Sequence, residues 1–264
     1  MKLQFYKYQA TGNDFVILDN RALKLSLSAS DIERICDRKF GVGADGLMLI
    51  EEDTKSDFTL QYFNNDGSQS LCGNGSRAAV SFASQLGIVN GNALFNAYDG
   101  IHEAELVDAD TVRLKMNDVT EIQKEGNDFF IYTGSPHYIR LVTDVERYPV
   151  VDEGQKIRYS DLFKPGGTNV NFITLQGDNT IFVRTYERGV EDETLSCGTG
   201  VTAAALAASY HGYTSPVKVK TKGGALSVEF KSSHSGLSSG QPGMFTDIFL
   251  IGPAKMVFKG ELEL

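Results

Sequence analysis

Two cysteines carry the most legible chemistry in this 264-residue chain. Cys72-Gly73-Asn74-Gly75 runs into Ala78, Ala79, Ala83, Ser84 and Gly87, and Cys197-Gly198-Thr199-Gly200 runs into Ala203, Ala204, Ala208, Ser209 and Gly212, every pair 125 positions apart. Eight identities in sixteen aligned residues, without a gap, mark a duplicated element, and duplication carries its chemistry with it. A Gly-rich turn ahead of an Ala-rich stretch predicts a helix N-terminus, where unpaired N–H groups and the helix dipole favour negative charge. A thiol placed there ionises more readily. One thiolate and one thiol flanking a small molecule would form a symmetric base and acid.

The elements that must position these residues are legible in outline. The length suits one large domain or two of about 130 residues, and the half-chain repeat selects two. Strand patterns cover 2–8 and 15–18 around the Gly12-Asn13 turn. The Ser30-Asp31-Ile32-Glu33 capping-box pattern predicts a helix to Arg38, stopped by Gly41-Val42-Gly43. Strands are expected at 47–51 and 58–63 before the first cysteine turn, and at 93–97, 102–107 and 111–116 after its helix, with 117–124 as the crossing between halves. The second half offers strands at 129–133, 138–142, 170–175 and 180–186 before its cysteine turn and 217–221, 225–231 and 246–252 after it. Asn171-Phe172-Ile173 echoes Asp14-Phe15-Val16, and Gly224 and Glu229 match Gly100 and Glu105 at an offset of 124. The Ser- and Gly-rich stretch 232–243 suggests a mobile hairpin loop, and a last strand, 256–264, is expected to return to the first half. The fold class is α+β, in two pseudo-symmetric domains, residues 1–117 with 255–264 and residues 118–254. Each is expected to be a mostly antiparallel closed sheet around a central helix, because small side chains along the Ala-rich helices let strands approach from several sides. Both cysteine ends are then expected at an interdomain cleft.

Bulk composition restricts the function. A net charge of −9 and a pI near 5.0, with no basic cluster, argue against a nucleic-acid or anionic-membrane partner. No apolar run is long enough to span a bilayer. Three cysteines do not suggest a disulfide framework, and no signal-peptide core follows Met1-Lys2-Leu3, so the expected compartment is the reducing cytosol. Neither Cys72 nor Cys197 has a second cysteine at metal-ligand spacing, the phosphate-loop pattern is missing, and no lysine stands in a Schiff-base context, so no metal and no cofactor is expected. Cys36 falls on the apolar face of its helix as a buried packing residue.

On these residues the chain resembles the diaminopimelate epimerases. The match rests on Asn64-Asn65-Asp66-Gly67-Ser68 leading to Cys72-Gly73-Asn74-Gly75-Ser76-Arg77, and on Glu187-Arg188-Gly189 leading to Thr194-Leu195-Ser196-Cys197-Gly198-Thr199-Gly200. Supporting matches include Gly12-Asn13-Asp14-Phe15-Val16, Gly41-Val42-Gly43-Ala44-Asp45-Gly46, Pro136-His137 and Asn169-Val170-Asn171-Phe172. The resemblance implies a cofactor-free isomerase that inverts one α-carbon of LL-2,6-diaminoheptanedioate to the meso form, working as a homodimer. It implies Cys72 and Cys197 as the catalytic pair, with His137 beside Cys72 and Glu187 beside Cys197 to accept the thiol protons. Asn13, Asn64 and Asn169 resemble substrate-binding amides, although each alone could be a turn former. Glu187 and Arg188 suit the amino and carboxyl groups of a zwitterion, and the N–H groups of Gly73, Asn74, Gly198 and Thr199 suit the α-carboxylate.

Departures from the family pattern are Ser135 before Pro136-His137, where many members carry Asn, and Tyr186 in place of Pro before Glu187; Thr11-Gly12 also lacks the usual upstream context. A proline racemase or hydroxyproline epimerase would share the fold and both thiols, but resembles Met-Cys-Gly-His where this chain has Leu71-Cys72-Gly73-Asn74. A non-enzymatic anion-binding protein or a thiol redox switch are the readings outside that class.

Overall fold

Alternating burial along β1 (Lys2–Ala10) sets one face inward, and Thr11 (φ 49°) and Gly12 (φ 86°) turn the chain back into β2 (Asn13–Asp19). The computed structural model describes residues 2–233 and 244–263. The chain divides into two compact units, Met1–Leu114 with Gly252–Leu264, and Lys115–Ile251.

In the first unit α1 (Ala29–Cys36) carries the chain to β3 (Gly46–Glu51), which lies parallel to β2, and β4 (Phe58–Asn64) returns antiparallel. The helix α2 (Gly73–Gln85) then crosses to β5 (Asn92–Ala97), parallel to β4, and β6 (Gly100–Leu106) and β7 (Thr111–Lys115) follow as an antiparallel meander. Parallel neighbours need a crossover, and both crossovers here are helical.

The second unit runs β8 (Ile122–Glu125), β9 (Asp128–Tyr132) and β10 (Pro136–Leu141), all antiparallel neighbours, then α3 (Val150–Arg158). It continues through β11 (Asn169–Gln176), parallel to β10, β12 (Thr180–Glu187), the short β13 (Asp192–Thr194) and α4 (Gly198–Ser209). β14 (Val217–Thr221) is parallel to β12, and β15 (Gly224–Ser232) and β16 (Phe245–Pro253) close the series. Finally β17 (Lys255–Glu263) pairs antiparallel with β1, Lys2 opposite Glu263, as the expected return of the last strand to the first half.

The strand order β17-β1-β2-β3-β4-β5-β6-β7 therefore repeats as β8-β9-β10-β11-β12-β14-β15-β16, with parallel pairs and helices at the same places. α2 packs against β1, β2, β3, β4, β6 and β17, and Asn74 through Ala83 are all buried; α4 packs against β9, β10, β11, β12, β14 and β15. Around them Phe15, Phe58, Phe82 and Phe95 in one unit and Phe129, Phe172 and Phe245 in the other are fully buried, each contributing about 2 kcal/mol of transfer free energy.

Three local expectations are corrected. The helix cap is Ser28, not Ser30: its hydroxyl accepts from Asp31 N–H, and the Asp31 carboxylate accepts from Ser28 N–H, so the short Asp fills the N3 role expected of Glu33. That helix ends at Cys36 rather than Arg38, because the Asp37 carboxylate captures the N–H groups of Lys39 and Phe40 at 2.7 Å and holds a turn. In topology β11, with Asn171-Phe172-Ile173, corresponds to β3, whereas β2, with Asp14-Phe15-Val16, corresponds to β10; the local echo joins unrelated strands. Positions 234–243 of the expected hairpin loop lie outside the described residues.

Candidate active site

Each unit brings one thiol to the N-cap of its central helix. Cys72 caps α2 with extended backbone (φ −127°, ψ 110°), and its sulfur accepts from Gly75 N–H at 3.4 Å. The same sulfur donates to Asn13 Oδ1 at 3.5 Å, and Asn74 Nδ2 donates to that oxygen at 3.3 Å. Asn13 cannot turn its amide around, because its Nδ2 is taken by Asp45 Oδ2 at 2.7 Å. Asp45 in turn receives Arg38 at 2.7 Å, and Arg38 and the buried Lys7 both pair with Asp14, whose carboxyl is pulled down to about 2 against the cost of burial. A charged cluster behind β2 therefore points a carbonyl oxygen at the thiol.

Beneath Cys72 lies Arg77, fully buried, whose guanidinium donates to Asn74 Oδ1 (2.9 Å), Gly73 O (3.4 Å) and Thr11 Oγ1 (3.4 Å). Its Nε meets no acceptor and no carboxylate pairs with it among the described residues. Burial pushes it down to about 10, and a thiolate at Cys72 would work the other way. Asn64 ends β4, where its Nδ2 donates to Ser68 Oγ at 2.9 Å and its Oδ1 accepts from Ser70 at 3.3 Å, closing the loop that leads to Cys72.

In the second unit Cys197 caps α4 (φ −111°, ψ 114°) but makes no side-chain cap bond; its sulfur lies 3.5 Å from Thr199 Oγ1. His137 on β10 is wholly buried, with Nε2 at 2.9 Å from Thr199 Oγ1 and 2.8 Å from Ser135 Oγ, and Nδ1 at 3.1 Å from Asn171 Nδ2. Burial, with help from the nearby Arg188 charge, pushes the imidazole down to about 3, so it is neutral. Asn169 holds the segment together: Nδ2 donates to Pro136 O (2.9 Å) and Ser135 Oγ (3.3 Å), and Oδ1 accepts from the N–H of Arg188 at 2.8 Å. Glu187 ends β12 and accepts from Thr194 Oγ1 at 2.7 Å across the β12–β13 hairpin; Arg188 follows it, exposed.

Thus Asn13, Gly73 and Asn74 stand around Cys72, and His137 and Thr199 belong to the network at Cys197. Asn64, Asn169 and Glu187 have partners in their own loops and hairpins. The residues that composition did not single out are Asp45, Thr11 and Arg77 in the first unit and Asn171 in the second. Arg77 had a signal, a cation inside an Ala-rich helix, and Asn171 another, an amide between Val170 and Phe172 in a buried strand. Ser135 takes its place in the hydroxyl network beside His137. Tyr186, the other departure, packs fully buried on Gly154, where a Cβ would come within 2.4 Å of its own. Cys36 is buried at the end of α1, its thiol pushed up to about 11 by burial. Among the described residues no group of three or more His, Cys, Asp or Glu could hold a metal ion, and no helix is long and apolar enough to cross a membrane.

The solved structures that resemble this chain share its fold at low identity. A phenazine biosynthesis protein of the PhzF family from Bacillus anthracis matches with a TM-score of 0.74 at 13% identity, covering 100% of both chains. A hydroxyproline epimerase from Agrobacterium vitis matches with a TM-score of 0.70 at 13% identity, covering 100% of this chain and 93% of that one. Those likenesses speak to architecture alone. Sequence relatives are far nearer: a diaminopimelate epimerase from Flavobacterium psychrophilum is 44% identical over 97% of this chain and 99% of its own, and one from Aquifex aeolicus is 38% identical over 99% and 98%. The family model described as diaminopimelate epimerase matches residues 5–122 and 129–244, one match for each half of the repeat. With both cysteine motifs inside those matches, the chain belongs to the diaminopimelate epimerase family.

Proposed function

We propose that the protein inverts one α-carbon of LL-2,6-diaminoheptanedioate to give the meso isomer, a step toward lysine, by proton transfer between two thiols and without a cofactor. The observation that carries this is the duplicated cysteine N-cap, one on the central helix of each unit, in a chain whose relatives bear that enzyme's name. Inversion needs a base on one face of the carbon and an acid on the other. A thiolate removes the α-proton, the electron pair spreads onto the α-carboxylate, and the opposite S–H delivers its proton to the other face, so the two sulfurs exchange roles with each turnover. The N–H groups of Gly73, Asn74, Gly198 and Thr199 at the two helix starts suit the developing negative charge, which a helix dipole also favours. Asn13, Asn64, Asn169, Glu187 and Arg188 complete the polar set for the two zwitterionic ends. The working form is a cytoplasmic homodimer.

Incubation with the LL isomer in D2O, with no added cofactor, tests the proposal. Deuterium enters the α-carbon together with formation of the meso isomer, and Cys72→Ala and Cys197→Ala each abolish inversion. No α-deuteration, or an active C197A enzyme, refutes it. Turnover of trans-4-hydroxy-L-proline instead would move the protein to the hydroxyproline epimerases, with which it shares a fold.

A further inference from the structure

The hydrogen bonds around His137 can be given a direction from one fixed acceptor, the backbone carbonyl of Tyr138. Asn171, fully buried on β11, donates from Nδ2 to the carbonyl of Tyr138 at 3.2 Å, while its Oδ1 accepts from Thr185 Oγ1 at 2.9 Å. A carbonyl only accepts, so the NH2 end of this amide is fixed toward Tyr138, and the same NH2 faces His137 Nδ1 at 3.1 Å. Nδ1 must therefore offer a lone pair. In a neutral imidazole the proton then sits on Nε2, which lies 2.9 Å from Thr199 Oγ1. A hydroxyl that accepts from Nε2–H keeps its own single proton for another acceptor, and Thr199 Oγ1 is 3.5 Å from Cys197 Sγ.

We propose that Asn171 is a positioning residue that locks His137 as the Nε2–H tautomer, so that His137, Thr199 and Cys197 form a one-way donor chain that ends on the sulfur and favours its thiolate. His137 is then a fixed donor rather than the acceptor of a thiol proton, and Cys197 is the sulfur that rests as the base. Ser135 Oγ is part of the chain: it lies 2.8 Å from Nε2 and shares that proton with Thr199, it accepts from Asn169 Nδ2, and its own proton is then left for Thr199 Oγ1 at 3.1 Å, which keeps the direction toward the sulfur. Charges on the flanking strands leave the direction intact. Arg140 pairs with Asp128, Arg184 with Glu193, Glu187 accepts from Thr194, and the remaining cation, Arg188, opposes protonation of the ring. Gly200 is part of the same design: a Cβ there would come within 2.4 Å of Asn171 Oδ1 and 3.3 Å of the imidazole.

The inference rests on Cys197 being a working thiol, and its test does not depend on turnover. Nitrogen-15 NMR of the full-length protein should show His137 Nδ1 as a pyridine-type and Nε2 as a pyrrole-type nitrogen from pH 8 to 5. In a Cys36→Ala, Cys72→Ala background, iodoacetamide alkylation of Cys197 should fall at least about tenfold at neutral pH in Thr199→Val and shift to higher pH, while Thr199→Ser keeps the parent profile. Asn171→Asp, which places an acceptor at Nδ1, should invert the tautomer and slow alkylation likewise. A wild-type Nδ1–H tautomer, or T199V alkylating at the parent rate, overturns the chain; if N171D does not fold, the wild-type spectrum and the Thr199 pair decide. Loss of α-deuteration with the chain intact would instead count against the proposed reaction.

Discussion

Replacing Arg77 with Met separates what the buried cation does for the fold from what it does for the thiol. The guanidinium is fully buried with no carboxylate partner among the described residues, and the fall to about 10 that burial causes corresponds, at ~1.4 kcal/mol for each tenfold, to about 3 kcal/mol of unfavourable burial. Its hydrogen bonds to Asn74, Gly73 and Thr11 return about 1 kcal/mol each. Methionine fills the volume of the aliphatic stem, relieves the first cost and forfeits the second gain. Unfolding free energy by denaturant titration should therefore stay within about 1 kcal/mol of wild type, in contrast to the 3–5 kcal/mol typically lost when a buried ion pair is broken by removing one partner. Activity should not be spared. The cation lies beside Cys72 and holds Asn74 in line with Asn13, so α-proton exchange should slow by roughly 10- to 100-fold. A loss above 3 kcal/mol would mean that Arg77 is a structural keystone, and unchanged exchange would mean that its charge is irrelevant to the thiol; either result refutes the reasoning.

Gly200→Ala ought to gain up to about 1 kcal/mol from helix propensity, yet its Cβ would sit 2.4 Å from a fully buried amide oxygen, so a net loss of stability and of exchange activity is expected; a variant with raised Tm and full activity would contradict the geometry. Acid should weaken the fold partly through His137, whose folded value of about 3 lies below its ordinary 6.5: the unfolded chain binds the proton first, so stability present above pH 6.5 is lost as the pH falls toward 3. Comparing wild type with His137→Gln by denaturant titration, the wild-type protein should lose about 1.5 kcal/mol more between pH 6.5 and 5, and parallel curves would show that the ring does not titrate as described. Ser28→Ala removes the cap of α1 and should cost about 1 kcal/mol, whereas Ser30→Ala should cost close to nothing; the reverse order in thermal melts would restore the cap expected from the sequence.

Strands and central helices were legible in the sequence because alternation and Ala-rich composition report burial directly, and the duplicated cysteine turns exposed the two-unit plan. What escaped was decided by contacts between distant segments. α3 was hidden by Gly154, a poor helix residue that is there because Tyr186 packs against its α-carbon. β13 is too short to carry an alternation and is held by the Arg184–Glu193 pair, at 2.6 Å. The cap of α1 was misplaced by two residues because Ser28-x-x-Asp31 and Ser30-x-x-Glu33 overlap, and only the folded backbone selects between them. In the site, residue types identified both thiols, but not which way the amides of Asn13 and Asn171 face. That is settled by Asp45 and by the carbonyl of Tyr138, 32 and 33 positions away in the chain.

Those two amides explain why a repeated element need not yield equivalent thiols. Both cysteines cap equivalent helices with similar extended backbone, and a strictly symmetric pair would have no reason to hold one proton on a chosen sulfur. Asp45 takes the NH2 of Asn13 and leaves its carbonyl for Cys72, an acceptor that a thiol can satisfy and a thiolate cannot. At the other helix the fixed NH2 of Asn171 points toward His137, and each following group has a proton left to donate toward Cys197. One side chain offers Cys72 a lone pair and the other network offers Cys197 a hydrogen, so in the proposed reaction the acid and the base would be told apart by the side chains behind two helices that remain copies of each other.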